Sequence, residues 1–239
     1  MSVESTVAAF ERLGARFPTP APEIAVKLEK LQGLVFDWDG VFNDGTKGGA
    51  VASGFSEADS MGTNMLRYGL WLQRRRLPVC CLISGENNDA AAQFARREHF
   101  DGAYGGIRDK RLAVRHLCER HGFSAGHLAC LIDDINDLPM ARLCGLRFFV
   151  KRSASPLLTA YAIGAGLCDY VTGSSGGKHA VREISELMLG LLGAYPGVVE
   201  SRTAVDAQYL DYFTRRQSVA TRFYRQKGAE ITVADDDAT

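Results

Sequence analysis

The sequence predicts an α/β fold built on a doubly wound parallel sheet, and three observations carry that prediction. Short apolar runs recur at Leu34–Phe36, Pro78–Ser84, Leu128–Ile132 and Leu146–Val150; each has the length and composition of a buried strand. Stretches of helical period separate them, as a parallel sheet with crossover helices requires. Two of the runs stop abruptly in carboxylates, Asp37 and Asp39 after the first and Asp133, Asp134 and Asp137 after the third. The carboxyl ends of strands in an open parallel sheet are where ligands bind.

The chain has 239 residues, 46% hydrophobic and 23% charged, with 28 basic and 28 acidic side chains. That is the profile of an ordinary globular protein with one sizeable core. The even charge balance gives no reason to expect nucleic acid or an anionic membrane surface as a partner. No apolar run reaches the ~20 residues of a membrane span, and the start of the chain lacks the basic and apolar regions of a signal peptide. Cys80, Cys81, Cys118, Cys130, Cys144 and Cys168 form no Cys-x-x-Cys pair. They read as reduced, buried small hydrophobes in a cytoplasmic protein.

In chain order, Val7 to Phe10 opens a weak helix that Pro18, Pro20 and Pro22 end. Ile24, Leu28 and Leu31 then share one helical face. After the first strand, Gly48, Gly49 and Gly54 suggest a small β-hairpin flap, and a helix is expected from Ser60 to Arg75. Ala90–Glu98 is the next helix and Gly102–Tyr104 a short strand; Lys110 precedes an amphipathic helix through Cys118. Asp169–Val171 is a short fifth strand, the loop 173–178 is flexible, and Ala180–Leu192 is helical. One further helix is expected over Val205–Arg225, followed by a disordered acidic tail, Ala234–Thr239. The domain division that follows is a helical extension over 1–30, a core domain over 31–195 and a C-terminal helical extension over 196–239.

The chemistry concentrates on the two carboxylate clusters. Side chains alternate along a strand, so Asp37 and Asp39 face the same way if the extended backbone lasts that far. Two like charges so placed are costly unless they share a cation or one is protonated. Either arrangement is useful: one carboxylate can ligate Mg2+ and attack phosphorus while the other moves a proton. The same residues also suit a plain Asx-rich turn. Two acidic clusters at strand ends favour a divalent-metal site. Ser84 suits a helix N-cap and equally a phosphate cradle. Lys110 at a helix start is slightly unfavourable against the helix dipole unless an anion lies nearby.

With its elements in place, the sequence resembles the haloacid dehalogenase superfamily of phosphatases. It is most similar to the capless branch containing 3-deoxy-D-manno-octulosonate 8-phosphate phosphatase. Asp37-Trp38-Asp39-Gly40-Val41, Ser84, Lys110 and Asp133-Asp134 with Asp137 fall in that superfamily's order. Tyr170-Val171-Thr172, Gly176-Gly177 and Ala180-Val181-Arg182-Glu183 match the branch. The resemblance spans about residues 30 to 195 and implies a Rossmann-like core with a small flap and no large cap domain. It implies Asp37 as nucleophile and Asp39 as proton shuttle, with Ser84, Gly85 and Lys110 on the phosphate. It implies Mg2+ on Asp37, the Asp39 carbonyl and Asp133, with Asp134 and Asp137 in support. It also implies a tetramer, in which Gly176 to Arg182 would serve a neighbour's site. The branch pattern breaks at Ala58-Asp59-Ser60, Ser84-Gly85-Glu86, Ile132 and His179, where two arginines and three glycines are among the expected residues. Lys47, Lys178 and Arg182 are the candidate substrate or neighbour-subunit contacts that remain. The expected function is hydrolysis of a sugar phosphate, such as a nonulosonate or octulosonate phosphate, through an aspartyl-phosphate. The alternative is a non-catalytic oligomerising domain that keeps the metal site.

Overall fold

The computed structural model describes residues 2–47 and 54–234. Two N-terminal helices, α1 (Val3–Arg12) and α2 (Ala21–Leu28), lead into β1 (Gly33–Phe36). There follow α3 (Glu57–Arg74), β2 (Val79–Ile83), α4 (Asp89–Arg97), β3 (Gly102–Gly105), α5 (Lys110–His121) and β4 (Leu128–Ile132). A single turn, Ile135–Asp137, and α6 (Leu138–Ala141) lead to β5 (Leu146–Lys151), α7 (Pro156–Gly164) and β6 (Tyr170–Ser175). The chain closes with α8 (Ala180–Leu191), α9 (Tyr195–Ala204), α10 (Ala207–Gln217), β7 (Arg222–Lys227) and β8 (Glu230–Val233).

Among the described residues the strands form one sheet in the order β6-β5-β4-β1-β2-β3-β7-β8, parallel throughout except for β8. β1 is central, registered against β2 on one side and β4 on the other. The order reverses at β1, which opens a crevice at its carboxyl end. β1, β2 and β4 are buried along their whole length because helices cover both faces. One face packs α2, α3, α8 and α10 through Leu28, Leu66, Met188 and Tyr212; the other packs α5 and α6 through Leu117 and Met140. Among the described residues no helix is long and apolar enough to cross a membrane.

The expected flap falls mostly on residues 48–53, outside the described residues, as does the acidic tail beyond Ala234. The expected helix over Val205–Arg225 is overturned. Val205 takes a left-handed backbone (φ 50°) that ends α9, Asp206 caps α10, and the chain is extended again by Arg222. β7 and β8 form a hairpin around Gly228-Ala229, with Gly228 at φ 61°. The C-terminal stretch is therefore not a helical appendage: β7 adds a parallel strand beside β3. The N-terminal helices are tied to the same body, with Arg16 bridged to Val171 and α1 and α2 packed on α8. α7 had no counterpart in the sequence reading.

Candidate active site

The sheet brings the two carboxylate clusters together. Asp37 follows β1 directly and its N–H still bonds the Leu131 carbonyl at 3.0 Å, so the adjacent strand fixes where the side chain emerges. Asp133 follows β4, and the turn Ile135–Asp137 folds Asp137 back beneath it. There the Asp137 carboxylate accepts the N–H groups of Asp133 and Asp134, both at 3.2 Å. Asp134 caps that turn by accepting the Ile135 N–H at 2.7 Å. Asp37, Asp133 and Asp137 each offer an oxygen within 4.8 Å of the others, and all three are buried.

Lys110 answers part of this charge. Its Nζ donates to Asp37 Oδ1 at 2.6 Å and to Asp137, from the first residue of α5. These two anions remove the objection to a cation at a helix start. Burial alone would favour neutral Lys110, but Asp137 and Asp37 outweigh it and hold the ammonium charged well past its ordinary range. The remaining imbalance falls on the carboxylates. Burial, then the facing Asp137, raise Asp37 well above a usual carboxylate despite Lys110. Burial and Asp137 push Asp133 up to about 6, against the pull of Arg152.

The residues present fit a divalent cation. Asp133 splits its two oxygens: Oδ2 accepts Arg152 Nε at 3.1 Å and also its Nη2, whereas Oδ1 is buried with no hydrogen-bond partner among the described residues. An orphaned carboxylate oxygen beside two further carboxylates is costly unless something positive meets it. All the donors are hard oxygens, the set that Mg2+ and similar ions prefer. The loop keeps close backbone contact with this point. Gly40 sits at φ 85°, and a Cβ there would fall onto the Asp133 carboxylate and Arg152. Trp38 anchors the loop from below, stacked on Phe42 at 4.9 Å and tilted against Phe94 at 5.6 Å.

A cleft of about 490 Å³ opens over these groups. Of the residues singled out from sequence, Asp37, Asp39, Ser84, Gly85, Lys110, Asp133, Asp134, Asp137 and Lys47 line it; Lys178 and Arg182 do not. Arg182 instead bonds Glu186 one turn along α8 at 2.7 Å. Gly176 and Gly177 seat against the chain's own loop at Gly40, Asn43 and Asp44, where side chains would collide. Lys47 lies 3.2 Å from Asp39 and 3.0 Å from Glu86, bridging the two carboxylates. Among the described residues Ser84 caps no helix: Asn88 caps α4, accepting the Ala91 N–H at 3.2 Å, and the Ser84 hydroxyl accepts the Glu86 N–H at 3.3 Å. Sequence reasoning missed Arg152, Arg108 and Asn136, which also line the cleft. Arg152 follows β5 directly, and only the pairing of β5 with β4 brings it beside Asp133.

No family model matches the chain. It is 28% identical over 173 residues to the 3-deoxy-D-manno-octulosonate 8-phosphate phosphatase of Salmonella typhimurium, covering 71% of this chain and 85% of that protein. The Haemophilus influenzae protein of the same name is 28% identical over 172 residues, covering 70% and 87%. Among solved structures, the cobalt-bound Haemophilus phosphatase matches with a TM-score of 0.59 at 26% identity, covering 70% of this chain and 92% of that one. A putative haloacid dehalogenase superfamily hydrolase (subfamily III A) from Legionella pneumophila matches with a TM-score of 0.62 at 26% identity, covering 79% and 94%.

Proposed function

Taking as premise that the chain is homologous to the 3-deoxy-D-manno-octulosonate 8-phosphate phosphatases of the haloacid dehalogenase superfamily, we propose that it is a Mg2+-dependent phosphomonoesterase acting on an acidic sugar phosphate. The observation that carries this is the buried set of Asp37, Asp133 and Asp137, with Lys110 bridging two of them and Asp133 Oδ1 left without a hydrogen-bond partner among the described residues. That arrangement suits a nucleophilic carboxylate beside bound phosphate better than it suits a structural turn.

In this reading Asp37 attacks phosphorus with the oxygen that Lys110 does not hold. The P–O bond to the sugar breaks as the Asp37–P bond forms, giving an aspartyl-phosphate. Asp39 delivers a proton to the departing sugar oxygen. It then takes a proton from water, which attacks the same phosphorus and returns Asp37 as a carboxylate with inorganic phosphate. Lys110 and the Ser84 hydroxyl hold the non-bridging oxygens and offset their growing charge. Asp37, the Asp39 carbonyl and Asp133 would hold the metal ion, which would neutralise phosphoryl charge and favour the ionised form of Asp37. Asp137 positions Lys110 and the 133–134 backbone. Arg152 turns Asp133 so that Oδ1 stays available.

A cytoplasmic location fits the thiols. Cys130 and Cys144 interact with each other as free thiols, and Cys80 is buried with its thiol pushed up to about 12. A tetramer is proposed from the resemblance alone, and sedimentation tests it. The function itself is tested by phosphate release with and without Mg2+ over acidic sugar phosphates, neutral sugar phosphates and an aryl phosphate. We expect metal-dependent turnover that falls at least about a thousandfold in Asp37→Asn. An inert wild type that still binds Mg2+ would instead favour the non-catalytic domain.

A further inference from the structure

A second pocket lies beside the catalytic cleft, and the hairpin that sequence reasoning read as helix builds one wall of it. It encloses about 300 Å³ between α4 and β7 and shares Ser84 and Glu86 with the cleft. Arg96 reaches it from α4 and Arg225 from β7. Among the described residues neither guanidinium forms an ion pair. Arg96 lies over the Phe223 ring at 4.3 Å, a contact that fixes its plane without consuming its donors. The pocket's own carboxylates do not answer these cations: Glu86 is drawn to Lys47 at 3.0 Å, and Asp89 sits at the favourable N-terminal turn of α4.

The register sets the distance. Ile83 pairs with Tyr104 and Tyr104 with Tyr224; Arg225, paired with Gly105, stands at the same carboxyl-end level as Ser84. Two strand spacings, about 10 Å, therefore separate the phosphate-side hydroxyl from Arg225 along the rim. Between them stands Gly105, where an added Cβ would fall 2.9 Å from Asn87 Oδ1, so the Asn87 amide, itself part of the second pocket's lining, packs directly on that strand.

We propose that this pocket receives the sugar part of the substrate and that Arg96 and Arg225 bind its carboxylate. The inference rests on the phosphatase reading and names what that reading leaves open, the group that selects an acidic sugar. A carboxylate matches two planar guanidinium forks, and the polar lining of Asn87, Asn88 and Gln93 suits hydroxyls along the intervening carbons.

The test is steady-state kinetics on the full chain with Mg2+, using 3-deoxy-D-manno-octulosonate 8-phosphate, a nonulosonate 9-phosphate, a neutral aldose phosphate and 4-nitrophenyl phosphate. Arg225→Gln and Arg96→Gln alter exposed residues outside the reacting centre. Each should lower kcat/KM on the preferred acidic sugar about tenfold or more, chiefly through KM, and leave the aryl phosphate unchanged. Equal losses on both substrates, no loss on the acidic sugar, or a wild type that prefers the neutral sugar would overturn the proposal. A wild type inert on every substrate, aryl phosphate included, overturns the phosphatase reading and the subsite with it, and is distinguishable from the other outcomes.

Discussion

At the scale of single residues, the site stores unfavourable charge that a cation would release. Asp133 is pushed up to about 6, so in metal-free protein at neutral pH its ionised form is held at a cost to stability, and burial and Asp137 raise Asp37 in the same direction. The sign is that of a raised carboxylate: protonation relieves the cost below about pH 6, and a bound cation relieves it above. Mg2+ should therefore raise the melting temperature at pH 7.5, by an amount equivalent to about 2.7 kcal/mol at a hundredfold excess over its dissociation constant. That shift should shrink toward zero at pH 5 and be largely absent in Asp133→Asn. A shift that persists at pH 5 would place the ion elsewhere. Gly40→Ala tests the same point sterically. Its positive φ and the approach of Asp133 leave no room for a Cβ, so we expect at least about 1–2 kcal/mol of lost stability by denaturant melt, together with weaker Mg2+ binding. The carboxylates were legible in the sequence because each ends an apolar strand. Arg152 was not, since a lone arginine after a strand reads as solvated until β4 and β5 are seen side by side.

At the scale of elements, a buried ion cluster joins three helices behind the site. Glu98, at the end of α4, accepts Ser60 of α3 at 2.7 Å and Arg216 of α10 at 2.5 Å, while Arg67 of α3 bonds the Glu98 carbonyl. Glu98→Gln keeps the shape but leaves Arg216 without its buried counter-charge. The expected cost is about 3–5 kcal/mol, read as a lowered urea midpoint with an unchanged slope. None of this network is visible in sequence, because its members are ordinary helix-surface residues until α10 packs against α3. The helices and inner strands were legible from periodicity. The β7–β8 hairpin was not: Tyr, Phe and Arg suit a helix as readily as a strand, and only the two-residue Gly228-Ala229 break marked the turn. Pairing with the otherwise open edge of β3 decided the matter, and that is a tertiary effect.

At the scale of the whole molecule, distant parts of the chain converge on Asp169, at the opposite end of the sheet from the hairpin. Its carboxylate accepts Thr19 at 2.7 Å, Lys27 at 3.0 Å and Arg147 Nε at 2.7 Å, so it fastens the N-terminal segment to β5 and β6. Burial would raise this group, but the bonds from Arg147, Thr19 and Lys27 prevail and hold it below the usual carboxylate value. A lowered carboxylate contributes stability that is present above its unfolded pKa of about 3.9 and lost as pH falls through its folded one. Asp169→Asn cannot titrate and leaves Arg147 and Lys27 without their shared anion. It should be less stable than wild type by about 2–4 kcal/mol at pH 7, with the gap narrowing below pH ~4. Chemical denaturation across that range measures the gap directly, and a constant difference would mean that Asp169 acts by shape rather than charge. Because Asp169 lies away from the cleft, Mg2+ binding by the folded variant at pH 7 should match wild type, which separates the clamp that closes the sheet from the chemistry at its centre.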